Sequence, residues 1–284
     1  MKDKTVLFLH VPKTGGTMIN SILESNFRGD FFQDKLFYAD IYYQPTQIED
    51  AIRTVRYKCL SSHALRAISV PPKRDDIIAF TFVRDPRELA ISCYFDLRNR
   101  VSGQQHVSQK YEIDELTEKW KQGGFGLDYA YTVNQLRWLY PNVENRQDRL
   151  TNDISNGKFY LFPNSRFDHA LVCLEKMFPA YFPDLSYTKR KNVSVKDYEV
   201  EERHRDAVDQ LPWIESDTQL AKYSEQYLDG LISKLFPYPK DFEAYLENFY
   251  ERGKSKFNSL DAKQNAKGNK IYSYLRSISK SLRL

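Results

Sequence analysis

The chain is poor in the residues that make metal centres and disulfide frameworks. Its 284 residues hold three cysteines, five histidines and three tryptophans. Cys59, Cys93 and Cys173 are an odd number, far apart, with no CxxC pair and no histidine at zinc-ligand spacing. Disulfide scaffolds and zinc modules are excluded, and reduced thiols in a cytoplasmic compartment are expected. Long apolar runs are also missing. The longest, Val6–Val11 and Ile77–Val83, are strand-length and far short of the roughly 20 residues a bilayer-spanning helix needs. Behind Met-Lys-Asp-Lys the sequence enters the first of these runs without an h-region and cleavage site, so the expectation is the start of a fold. Glycine (11) and proline (12) are too few for a low-complexity or collagenous chain.

What is present is an ordinary globular balance: 41% hydrophobic and 28% charged residues, with 20 Tyr and 18 Phe supplying bulk. A chain of this length buries a large core without staples. The formal charge of +4 is uneven, because Lys254–Leu284 carries eight Lys or Arg against Asp261, a net of +7, and the rest of the chain carries −3. A mildly acidic body argues against nucleic-acid binding, whose positive charge spreads over a folded face. One domain over residues 1–253 and a basic tail over 254–284 is the simplest division. In the tail, Ile271, Leu275, Ile278 and Leu282 fall on one side of a helix with Lys270, Arg276, Lys280 and Arg283 around the remainder. That amphipathic stretch over 270–284 is a candidate for peripheral contact with an anionic membrane, for docking on its own domain, or for a partner.

Two strand–loop–helix units stand out. Thr5–Val11 reads as a buried strand; Pro12-Lys13-Thr14-Gly15-Gly16-Thr17 follows as a loop, and Met18, Ile19, Ile22 and Leu23 resume at helical spacing. Ile77–Val83 reads as a central parallel strand, then Arg84, then Asp85 as N-cap, Pro86 at the first helical position and Glu88 placed to answer the cap. A further short strand is predicted over Tyr57–Leu60, ending at Ser61-Ser62-His63, and another over Phe159–Phe162. Helices are predicted near Ile113–Lys121, Tyr131–Leu139, Asp168–Met177, Lys196–Gln210 and Thr218–Phe236. The expected fold is α/β: a P-loop-like, doubly wound parallel sheet flanked by helices, with more helices in the C-terminal half and a ligand crevice at the strands' carboxyl ends.

A loop that leaves a strand and opens a helix offers backbone N–H groups and the positive end of the helix dipole to an anion. Lys13 adds charge, Thr14 and Thr17 add hydroxyls, and Gly15 and Gly16 permit close approach. In the nucleotide triphosphate loop GxxxxGK[ST] the lysine follows the glycines; here Lys13 precedes them, and no other apolar strand ends in an Asp suited to magnesium.

His10-Val11-Pro12-Lys13-Thr14-Gly15-Gly16-Thr17 resembles the 5′-phosphosulfate-binding loop of the sulfotransferases, in particular the heparan sulfate 2-O-sulfotransferase group. Phe82-Val83-Arg84-Asp85-Pro86 with Ser92 resembles that family's 3′-phosphate element. Lys189-Arg190-Lys191-Asn192-Val193-Ser194 is similar to a late basic loop that closes over the nucleotide. Weaker likeness extends to Asn134-Gln135-Leu136-Arg137 and to Arg166-Phe167-Asp168.

The resemblance implies sulfuryl transfer from 3′-phosphoadenosine-5′-phosphosulfate (PAPS) to a hydroxyl, with no metal required. It places Lys13, Thr14, Gly15, Gly16, Thr17, Met18, Arg84, Ser92, Arg190, Lys191, Asn192 and Ser194 around the nucleotide, and Lys13 and His63 in catalysis. His63 stands where the 2-O-sulfotransferases carry a catalytic histidine, although Ser61 replaces a second histidine of that pattern; His106 is the reserve base and His10 reads as structural. The implied acceptor is a carbohydrate hydroxyl, with lipid-linked and small-molecule alcohols open. Aromatics in Phe27–Arg56 and basic residues in Asn99–Gly126 are the expected acceptor-selecting segments. Two other classes stay open: a phosphate-binding module without catalysis, and a kinase-type enzyme that would need magnesium.

Overall fold

A computed structural model describes residues 4–33, 42–54, 57–72, 74–93, 134–187, 206 and 208–256 of the chain. Five parallel strands form one sheet in the order β2-β3-β1-β4-β5: β1 Thr5–Leu9, β2 Phe31–Gln33, β3 Cys59–Ser62, β4 Ile77–Val83 and β5 Tyr160–Pro163. The doubly wound parallel sheet expected from the two strand–loop–helix units is present. β1 is central because its run TVLFL is apolar on both faces: Val6 and Phe8 join one core layer, Leu7 and Leu9 the other.

Helices cover both faces. Against the Val6–Phe8 face lie α1 (Gly16–Phe27), through Ile19, Ile22, Leu23 and Phe27, and α6 (Phe167–Met177), through Ala170–Leu174. Against the Leu7–Leu9 face lie α2 (Pro45–Thr54) through Ile48, α4 (Gln135–Leu139) through Leu136 and Leu139, and α5 (Arg146–Ser155) through Leu150 and Ile154. Residues 86–93 begin α3. Helix α7 (Ile214–Leu235) packs along β5, giving Leu220 to one layer and Leu228 to the other, so it covers that sheet edge. Helix α8 spans residues 239–256, through the point where composition changes near 253; the rest of the basic tail, 257–284, lies outside the described residues.

The expected strand over Tyr57–Leu60 is realised two residues later, as Cys59–Ser62, because Cys59 pairs with both Val6 and Phe31. The strand expected over Phe159–Phe162 is Tyr160–Pro163. Asp85 is the expected N-cap: its Oδ1 accepts from the N–H groups of Arg87 (3.0 Å) and Glu88 (3.1 Å). Glu88, expected to answer that cap, instead turns to Arg84, at 3.0 Å. Of the other expected helices, Asp168–Met177 is present within α6, Thr218–Phe236 is realised as α7 ending one residue earlier at Leu235, Tyr131–Leu139 is described only from residue 134 and is helical over Gln135–Leu139, and Ile113–Lys121 and most of Lys196–Gln210 lie outside the described residues. Among the described residues, no helix is long and apolar enough to cross a membrane.

β1 leads to β2 and β3 on one side and is flanked by β4 on the other, so the strand order reverses at its carboxyl end. Open parallel sheets bind ligands at such a point. The loop after β1, the end of β3 and the end of β4 all open there.

Candidate functional site

The loop after β1 is a tight, strained turn. Lys13 holds a left-handed backbone (φ 62°), which costs a side-chain-bearing residue about 1–3 kcal/mol. Gly15, the N-cap of α1, has φ 89° and has no side-chain cap, and a methyl group there would lie 2.8 Å from Asn164 Nδ2. Asn164 donates from Nδ2 to the Thr14 carbonyl at 2.8 Å, tying the turn to the segment after β5. The first N–H groups of a helix have no intrahelical acceptor, so the amino end of α1 presents donors and positive potential at the crevice. Thr17 is exposed on that first turn and Met18 half-buried beside it.

Two expectations about the loop change. The Thr14 side chain is fully buried and its hydroxyl donates to the Val11 carbonyl at 2.8 Å, so its one proton holds the loop in shape and is not offered to an anion. Gly16 serves a neighbour. A methyl group on it would fall 1.6 Å from His10 Nε2, so the missing side chain makes room for the His10 ring.

His10, expected to be structural, therefore stands inside the site. Register explains its position: Leu9 pairs with Ser62, so the next residues, His10 and His63, meet just beyond the strands. Their rings stack with centroids 3.8 Å apart, and the Phe8 ring also stacks with His10, at 5.2 Å. His63 Nδ1 lies 2.9 Å from the His10 carbonyl oxygen. A carbonyl only accepts, so Nδ1 carries the proton and Nε2 is the basic nitrogen of the neutral His63 ring. Burial first, and the neighbouring His63 second, hold the His10 pKa well below the usual histidine value. Ser61 is buried and donates to Asn20 Oδ1 of α1 at 2.6 Å, a structural contact.

Behind His63 lies Arg66, fully buried, whose guanidinium donates to the His63 carbonyl and sits 3.5 Å from the Trp138 ring centroid. Burial lowers the Arg66 pKa to about 9, with Tyr42 acting in the opposite direction. Trp138 also meets the His63 ring edge-on at 6.3 Å.

Arg84 closes the other side. Its Nη1 reaches the Lys13 carbonyl at 3.4 Å, and Nε and Nη2 contact Glu88 at 3.1 and 3.0 Å, so the two sequence motifs are brought together. Glu88 is largely exposed, and an exposed pair contributes little, so an incoming phosphate can take its place. The Arg84 main chain is clamped by Gln135: the Arg84 N–H donates to Oε1 and Gln135 Nε2 donates to the Arg84 carbonyl, both at 2.7 Å. Gln135 is itself held by Asp217 of α7, whose carboxylate accepts the N–H groups of Gln135 (2.7 Å) and Leu136 (3.1 Å). Burial raises the Asp217 pKa to about 7, against the pull of those bonds. Ser92 is half-buried about two turns into α3. His106, Arg190, Lys191, Asn192 and Ser194 lie outside the described residues.

Asn164, Trp138, Arg66 and Asp217 carry no motif that spacing reveals. Only Gln135 fell within a stretch the sequence marked.

Comparison with known proteins agrees with the motifs over the first part of the chain. Residues 1–137 match the model of a family described as the sulfotransferase family. No curated protein matches the chain. Among solved structures, a sulfotransferase from Alicyclobacillus acidocaldarius is 12% identical, over 78% of this chain and 96% of that one, with a TM-score of 0.44. A mouse sulfotransferase complexed with PAP is 11% identical, over 87% of this chain and 89% of that one, with a TM-score of 0.37.

Proposed function

We propose that the chain is an O-sulfotransferase that uses PAPS as donor and a carbohydrate hydroxyl as acceptor. The observation that carries this reading is the placement of His63, with Nε2 as its basic nitrogen, beside an anion-binding loop tied to Arg84. The match of residues 1–137 to the sulfotransferase family supports it.

The residues fit the donor. The glycine-shaped turn at the amino end of α1 suits a 5′-phosphosulfate, and the Arg84 fork, anchored through Gln135, suits a 3′-phosphate. PAPS supplies a sulfuryl group whose bond to the 5′-phosphate oxygen breaks, the electron pair leaving with the phosphate, as the acceptor oxygen bonds to sulfur. His63 Nε2 takes the acceptor's hydroxyl proton and later releases it to solvent. Lys13 and the first N–H groups of α1 meet the negative charge that grows on the phosphate. Arg190, Lys191, Asn192 and Ser194 complete the nucleotide site in this reading.

The test is release of 3′-phosphoadenosine-5′-phosphate (PAP) from PAPS against a panel of glycan, lipid-linked and small alcohols, with and without EDTA. Acceptor-dependent release that EDTA leaves unchanged is the expected result. Release with no acceptor in the panel, or a strict need for magnesium, contradicts the proposal.

A further inference from the structure

Arg66 is a cation where the core would accept an apolar chain. It is fully buried, three residues after His63, and stays charged at pH 7 because burial brings its pKa down only to about 9. Taking a guanidinium out of water costs more than burying a methionine of similar reach, so filling space does not account for it. Its contacts do. The guanidinium donates to the His63 carbonyl and lies on the Trp138 ring, 3.5 Å from the centroid, and that ring meets the His63 imidazole edge-on at 6.3 Å. The Arg66 main chain is itself fixed: its N–H donates to Ser69 Oγ at 3.1 Å, and its carbonyl accepts from the Ser69 N–H at 3.0 Å. Arg66 therefore joins the turn after β3 to helix α4, and both of the groups it holds bear on His63.

We propose that Arg66 is a positioning residue for His63: by holding the His63 carbonyl and the Trp138 ring in one grip, it keeps the imidazole aligned on the acceptor hydroxyl. This rests on the sulfotransfer reading above, in which His63 is the base. Arg66 touches no substrate atom and takes no proton. The residue type fits the task. A guanidinium is flat enough to stack on an indole and still carries N–H groups in its plane to reach a carbonyl, whereas a lysine donates without lying flat and a methionine packs without donating. Proton transfer requires the base within hydrogen-bond reach of the hydroxyl, and a misplacement of about 1 Å can cost about 100-fold. In the same reading the nucleotide meets other groups, on the loop after β1 and at Arg84, so its binding does not depend on Arg66.

The experiment measures kcat and PAP affinity for Arg66→Met and Arg66→Lys in the full chain, each made alone and together with His63→Ala. We expect Arg66→Met to lower kcat about 100-fold with PAP affinity held within about threefold. Arg66→Lys, which keeps the charge and a donor but gives up the stack on Trp138, should lose about tenfold. In the His63→Ala background neither substitution should lower the residual turnover further, because a residue that acts through His63 has nothing left to align. A merely structural role would carry its loss into that background. Arg66→Met with wild-type kcat overturns the assignment, as does a lysine variant equal to wild type, a loss in kcat matched by PAP affinity, or a loss that persists without His63. Arg66→Lys carries the same comparisons if Arg66→Met does not fold. Wild type that binds no PAP would sink the sulfotransfer reading and this assignment with it. Wild type that turns over while Arg66→Met loses nothing would sink this assignment alone.

Discussion

Residues 4–93 hold the loop after β1, the His10–His63 stack and Arg84, whereas residues 134–256 reach the same crevice through groups that orient those residues: Asn164 on the Thr14 carbonyl, Gln135 on the Arg84 main chain, Trp138 against His63, and Asp217 behind Gln135. The contrast extends to energetics. In the first region the backbone is strained at Lys13. In the second, a buried carboxylate is tied down by several donors. Glu175, on α6, accepts from the Leu185 N–H and from Arg252 of α8 at 2.7 Å, and Arg252 reaches Asp184 at 2.6 Å. The strained turn at Lys13 lies at the crevice, and Asn164 of the second region holds it through the Thr14 carbonyl.

If this division of work is right, substitutions in the two regions separate cleanly. The largest effect belongs to His63→Ala, which should lower kcat by about 1,000-fold while PAP affinity stays near wild type. Isothermal titration beside a turnover assay checks both halves. Loss of nucleotide binding would make His63 a supporting residue.

Next is Arg252→Ala, which leaves the Glu175 carboxylate, 2% exposed, without its cation. We expect urea unfolding to show about 3 kcal/mol of lost stability, with kcat per folded molecule changed by less than about twofold. A large kcat effect at full stability would erase the contrast between the regions.

Gln135→Leu is a smaller, diagnostic change. It strips both bonds from the Arg84 main chain, and PAP affinity should fall about tenfold, or about 1.4 kcal/mol, while affinity for 5′-AMP hardly moves. Equal loss for both nucleotides would detach Arg84 from the 3′-phosphate.

The smallest effect is a pH slope. Folded Asp217 keeps its proton up to about pH 7, whereas an unfolded aspartate gives it up near about 4. Between those values the folded state binds more protons, so this residue makes stability fall as pH rises through that window and adds no slope above it. Asp217→Asn should flatten that part of the stability profile; an unchanged profile in the variant would return the carboxyl to an ordinary pKa.

Much of the first region was legible in the sequence because its signals are local. TVLFL and IIAFTFV are continuous apolar runs that stop at turn residues, and Asp85-Pro86 is a helix start written in adjacent positions. β2 was not legible, since three residues at a sheet edge carry no period. Helix α2 escaped because Ile48 is its one buried residue, and α5 because its apolar stripe is interrupted by the buried Asp153. In the site, Lys13, Arg84 and His63 stood out by motif. His10 could be placed beside His63 only once the pairing of Leu9 with Ser62 was known. Gln135, Asn164 and Asp217 act across separations of 51, 150 and 82 residues, where spacing says nothing about contact.

The central claim is that the crevice at the carboxyl ends of β1, β3 and β4 binds a 3′-phosphorylated adenine nucleotide for sulfuryl transfer. Calorimetric titration of the full chain with PAP, with 5′-AMP and ATP–magnesium as controls, tests it most directly. We predict metal-independent binding of PAP that exceeds 5′-AMP by at least about tenfold, the worth of one good phosphate contact. Preference for ATP–magnesium, or indifference to the 3′-phosphate, would contradict it.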